Sequence, residues 1–147
     1  MYKYFRMTCS ISFVLLICLL SGCATTARGP LFTNPIEPKD NMGIFYIFRT
    51  YAIVGAYPDP LVQIDDKPLV TLQSMGYSYA YLKPGVHKLV LQDNLNNFFE
   101  TEFEIHSGQE LFECLDGFTQ SLSEVVSFKA KENLKKYRLD TPLNSQF

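Results

Sequence analysis

Between Phe99 and Ile105 the chain reads Phe-Glu-Thr-Glu-Phe-Glu-Ile, which places Phe99, Phe103 and Ile105 on one side and Glu100, Glu102 and Glu104 on the other. Only an extended strand sorts these residues into one apolar and one charged face; a helix would scatter them. A lone ribbon of this kind is unstable in water and needs partner strands. The neighbouring sequence supplies them as short apolar or alternating runs, broken by turn residues at intervals of roughly eight to twelve positions. Ile44 to Tyr51 is apolar on both faces, as a central strand must be, while Leu61 to Ile64 and Leu69 to Leu72 flank the turn-forming Asp65-Asp66-Lys67-Pro68. Tyr77 to Leu82 and Val86 to Leu91 flank a second tight turn, Lys83-Pro84-Gly85, and Ser107-Gly108 leads into Leu111 to Leu115.

Phe118 to Phe128 follows no single period. Ala130 to Tyr137 suits a short closing helix, with Lys135, Lys136 and Arg138 near the end where cations complement the helix dipole. Nine Tyr and twelve Phe with no Trp fit pleated, half-buried surfaces better than helices. The expected fold is mainly β: a single antiparallel β-sandwich of about seven strands with a short C-terminal helix. The expected organisation is a targeting segment at 1–22, a flexible tether at 23–41, the sandwich at 42–139 and a tail at 140–147.

The targeting segment has its own logic. Lys3 and Arg6 precede an apolar run, Ile11 to Leu20, which Ser21 and Gly22 separate from Cys23. A positive start, a short apolar stretch and a small-residue cleavage site make an export signal. The apolar run is about half the roughly twenty residues that a membrane-spanning helix needs. Leu20-Ser21-Gly22-Cys23 further matches the lipobox of bacterial lipoproteins in every position. The Cys23 thiol is suited to a thioether with a diacylglyceryl group, and the small Ser21 and Gly22 leave room for the lipid transferase and the signal peptidase. The alternative is an ordinary secretory signal cut near Ala24. With Ala24 rather than Asp after the lipidated position, sorting in an enterobacterial scheme favours the outer membrane, facing the periplasm. Residues 24–41, with Thr25, Thr26, Gly29, Pro30, Asn34, Pro35, Pro38 and Asp40, read as an extended linker with a reach of roughly 55 to 60 Å.

Loss of residues 1–22 removes Lys3 and Arg6 and leaves eleven basic against fifteen acidic residues, a formal charge of −4. Nucleic acid is thereby excluded as a partner, because phosphate binding demands clustered Lys and Arg. Cys9 and Cys18 fall in the signal and Cys23 is the lipid site, so Cys114 is left without an intramolecular partner. Within Leu-Phe-Glu-Cys-Leu it is expected to be buried as a small hydrophobe.

No motif supplies catalytic, metal or cofactor chemistry: G-x-S-x-G, H-E-x-x-H and glycine-rich phosphate loops are absent from the sequence. Asp65 and Asp66 read as turn residues, and the three glutamates as a solvated face rather than a calcium site. His87 and His106 are not expected to meet. Tyr77, Tyr79 and Tyr81 recur at period two and are the candidate binding surface, weighed against plain core packing.

Gly43-Ile44-Phe45-Tyr46-Ile47-Phe48-Arg49, Val62-Gln63-Ile64-Asp65-Asp66-Lys67 and Tyr81-Leu82-Lys83-Pro84-Gly85-Val86-His87-Lys88-Leu89 together resemble a family of small bacterial lipoproteins of unknown function with a PEGA-like β-sandwich domain. The late Glu132-Asn133-Leu134-Lys135-Lys136-Tyr137-Arg138 resembles that family's closing helix. The resemblance implies a fold and carries no catalytic residue. The expectation is a non-enzymatic, membrane-anchored module that meets an envelope protein or cell-wall glycan, with no buried polar cluster in a cleft. An assembly subunit pairing through a sheet edge is one alternative. An enzyme, which would need His87, Arg49 or an acid to converge in a pocket, is another.

Overall fold

A computed structural model of the protein describes residues 26–33, 36–52, 58–93, 98–117, 119–140 and 142–143. The segment expected to be an export signal, and Cys23, lie outside the described residues. Nine strands and one helix follow in order: β1 (Gly43–Arg49), β2 (Leu61–Ile64), β3 (Lys67–Thr71), β4 (Gly76–Leu82), β5 (Gly85–Gln92), β6 (Phe98–Ile105), β7 (Glu110–Leu115), β8 (Leu122–Glu124), α1 (Ser127–Leu134) and β9 (Arg138–Leu139).

The protein is mainly β, with two sheets. One runs β8-β7-β1-β4-β9 and the other β3-β2-β5-β6. All seven residues of β1 are buried, as its two apolar faces require, and it holds the centre of the five-stranded sheet. The β2–β3 hairpin turns through Asp65 and Asp66, both at positive φ (51° and 61°), the conformation of a two-residue type I′ turn. Pro68 is tolerated because β3 is an edge strand.

Two features depart from the sequence expectation. The first sheet is mixed rather than antiparallel, since β7 runs parallel to β1 and β9 parallel to β4. The Lys83-Pro84 link also closes no hairpin: β4 pairs with β1 while β5 pairs with β2 and β6. It carries the chain from one sheet to the other, entering β5 at Gly85, whose φ of 145° favours glycine. The β6–β7 turn crosses back in the same way, which delivers β7 beside β1 in the parallel sense.

One apolar cluster draws on both sheets, joining Phe45, Ile47, Ala80, Leu82, Leu111 and Leu115 of the first to Val62, Ile64, Leu69, Leu89, Leu91 and Ile105 of the second. Phe103 stacks on Phe45 with ring centroids 4.7 Å apart. The opposite face of the five-stranded sheet carries a second cluster of Ile44, Tyr46, Phe48, Tyr77 and Phe112. Ala130 and Leu134, one helical turn apart on α1, and Tyr137 pack onto it, and Lys131 ion-pairs with Glu110. The helix starts and ends three residues earlier than expected, because Arg138 and Leu139 are drawn into pairing with β4.

The segment expected to be a free tether forms part of the body wherever it is described. Ala27 and Phe32 are each 5% exposed. Ala27 N–H donates to the Ser74 carbonyl (3.3 Å), Phe32 N–H to the Tyr137 carbonyl (3.2 Å), and Leu139 N–H to the Pro30 carbonyl (2.9 Å). Polar and proline-rich composition misleads here because three apolar residues, Ala27, Phe32 and Ile36, suffice to pin an extended strap. At the other terminus, Asp140 is buried and Leu143 N–H donates to the Leu69 carbonyl, so the body also continues past Leu139.

Candidate functional site

Alternation along β4 sends Ser78, Ala80 and Leu82 towards the intersheet cluster and Tyr77, Tyr79 and Tyr81 to the opposite face. Tyr77 is 4% exposed and meets Phe32 edge-on at 5.5 Å, so it belongs to the second core. Tyr79 and Tyr81 are half-buried and touch edge-on at 5.9 Å. Tyr81 donates its hydroxyl to the Glu37 carbonyl (2.7 Å), and Lys39 Nζ sits 4.0 Å from its ring centroid, a cation–π contact. The period-two stripe is therefore real, and residues 36–39 border it.

The β2–β3 turn and the β4–β5 link meet through polar side chains. Asp65 accepts from the Lys88 amide (3.0 Å) and from His87 Nδ1 (2.7 Å), while His87 Nε2 lies 2.8 Å from the Lys83 carbonyl. Burial raises the Asp65 carboxyl, but the His87 and Lys88 hydrogen bonds outweigh it and leave the group below its ordinary value. His87 is a structural tie between the two turns. His106 is exposed beside Glu104, and the two histidines do not meet. Glu100, Glu102 and Glu104 are exposed, with Lys88 Nζ 3.0 Å from Glu100, and no metal-holding group of acids, His and Cys occurs among the described residues.

A different site emerges at the end of the sheets where β1 stops. Arg49, on the intersheet face of β1, is wholly buried, and its guanidinium donates to Asp59 (2.8 Å), the Leu72 carbonyl (3.2 Å) and the Pro58 carbonyl (3.3 Å). Burial lowers its pKa, and Asp59 opposes that shift. Asp140 accepts from the Gln73 amide (2.9 Å) and lies over Gly76, where a Cβ would come within 2.0 Å of its Oδ2. Only glycine leaves room for the carboxylate at that point. Burial pushes the Asp140 carboxyl up to about 6, although Arg49 draws it down. Asp140 forms a wall of a groove of about 520 Å³, together with Thr26, Arg28, Thr71, Gln73 and Leu143.

This buried polar cluster beside a groove is a correction to the expectation that none would be found. Arg49 and an acid do approach one another, while His87 stands at the opposite end of the sheets, beside the β4–β5 link. The sequence hides the convergence because Asp140 falls in what reads as a tail and Thr26 and Arg28 in what reads as a tether. Arg49 at the end of an otherwise apolar strand is the one signal that pointed there. Chemically, the groove combines two hydroxyls, an amide, a guanidinium and a carboxyl that exchanges its proton near neutrality.

Cys114 is half-buried against the second cluster, and burial raises its thiol to about 11, which keeps it protonated and weakly nucleophilic. Cys23, Leu20, Ser21 and Gly22 lie outside the described residues. No protein-family model matches the chain, and no curated protein is significantly similar to it.

Proposed function

We propose that this chain is a lipid-anchored protein of the bacterial envelope whose exported body serves as a non-enzymatic interaction module. The observation that carries the reading is Leu20-Ser21-Gly22-Cys23 closing a ten-residue apolar run behind Lys3 and Arg6. On this reading the bond before Cys23 is cut, the thiol bears a diacylglyceryl group, and the freed amine takes a further acyl chain such as palmitate. One chain holds a protein marginally and two or three hold it stably, since each buried methylene adds about 0.8 kcal/mol. Ala24 directs the product to the outer membrane, facing the periplasm.

The two sheets, joined by their shared apolar cluster, are read as a sandwich of the PEGA-like type. The partner is an envelope protein or a cell-wall glycan, met at Tyr79 and Tyr81, whose rings are partly exposed and held in place by each other and by Glu37. A second reading, acid–base catalysis, draws on Asp140 in the groove, because a carboxyl near 6 is suited to proton transfer. Against it, Asp140 is the one acid among the described groove residues and no His or Cys joins it there.

Expression of the wild-type and Cys23→Ala chains with labelled palmitate, followed by membrane fractionation, tests the anchor. The wild type takes up label and sediments with membranes, whereas the variant takes up none and stays soluble after export. A labelled variant, or an exported wild type that is soluble, contradicts the reading.

A further inference from the structure

If Cys23 carries the lipid, two residues, Ala24 and Thr25, separate it from Thr26, which is already docked: Thr26 bridges to Ser74, and the next residue, Ala27, is buried. The three Cα-to-Cα steps from Cys23 to Thr26 span at most about 11 Å, while the headgroup layer on one side of a bilayer is roughly 5 to 8 Å deep. The body therefore has only a few ångströms of slack, too little to stand clear of the headgroups. We propose, on the reading that Cys23 is acylated, that the end of the sheets around Thr26 and Ser74 rests directly on phospholipid headgroups.

The residues at that end suit a wet, anionic, partly oily surface. Tyr51 is 61% exposed, and the following amide, Ala52 N–H, donates to Ser74 Oγ. Leu143, 54% exposed, shares the groove with Thr26 and with exposed Arg28, and Arg138 bonds the Gly29 carbonyl. Tyr and Arg are residues that settle at headgroup level, Tyr through its amphipathic ring and Arg through its fork of phosphate donors. β4 runs away from this end, so Tyr81 and the Lys83 link lie towards the far end, which faces the aqueous compartment.

The chain contains no Trp, so a single substitution installs a lone fluorophore. The lipidated Tyr51→Trp protein, purified from membranes and placed in vesicles of zwitterionic and anionic phospholipid, is compared with and without brominated acyl chains. Val86→Trp, at the far end of the sheets, is the reference, and Leu143→Trp is a second probe of the near end should Tyr51→Trp fold poorly. The near-end indoles should lose about half their emission to the brominated lipid, as expected for a ring at headgroup depth, and Val86→Trp should lose none. With protein that floats with the vesicles, an unquenched near end overturns the proposal and leaves the anchor intact. It is also the result expected if this end is made for a protein partner. Equal quenching at both ends overturns the orientation. Protein that does not float overturns the anchor and the proposal together.

Discussion

Asp140 shows how a residue can be costly to the fold where it sits. Burial raises its carboxyl to about 6 from the ordinary 3.8, so the folded state holds the proton more tightly than the unfolded one. The stability it contributes is complete below about pH 4 and is lost as pH rises to about 6, a difference of up to about 3 kcal/mol. Asp140→Asn keeps an acceptor for the Gln73 amide and removes the titration. Urea unfolding of both proteins should give a gap that widens in favour of the variant between pH 4 and 6 and is constant above. Arg49 reaches the same end of the core from β1, and neither residue was assigned a site in the sequence. Arg49 read as the end of an apolar strand and Asp140 as tail, because Asp140 fits only in the space left by Gly76, and an absent side chain leaves no pattern.

At the level of strands and segments, alternation told which face of each strand is apolar, but not which strand lies beside it. The β2–β3 hairpin was legible because two adjacent acids at its tip take positive φ, whereas the Lys83-Pro84 link has the same turn chemistry and joins different sheets. One cross-strand pair was invisible for that reason: Glu113 of β7 faces Glu124 of β8. Burial, and then Glu124, push the Glu113 carboxyl up to about 7 from 4.5, so its charge weakens the fold as pH rises through that range. Glu113→Gln should be the more stable protein above pH 7, by about 1 to 2 kcal/mol after allowance for solvent screening, and should match the wild type near pH 4; thermal melts at the two pH values check this. The strap over the second core makes a sharper contrast. Phe32→Ala should lower the unfolding free energy by about 3 to 5 kcal/mol, because Phe32 packs edge-on against Tyr46 and Tyr77. A loose tether would lose less than about 0.5 kcal/mol in the same denaturation experiment.

For the molecule as a whole, the two termini of the body converge on one end: Thr26 and Arg28 from the start of the chain meet Leu139, Asp140 and Leu143 from its close. On the proposed reading, that convergence would turn an N-terminal lipid from a leash into a foot. The proposed lipobox can be read from four adjacent residues because enzymes that act on such a motif read it locally, in an extended chain, before any folding. The proposed closeness of the body to a membrane has no such local signature, since it depends on where Thr26 docks in three dimensions. The proposed anchor at Cys23 remains the claim on which location, orientation and partner access depend. Mass analysis of the tryptic N-terminal peptide of protein extracted from native membranes tests it most directly. The account predicts a peptide beginning at Cys23 and ending at Arg28, heavier than its sequence by a diacylglyceryl group and a further acyl chain. An unmodified peptide, or one beginning elsewhere, contradicts it.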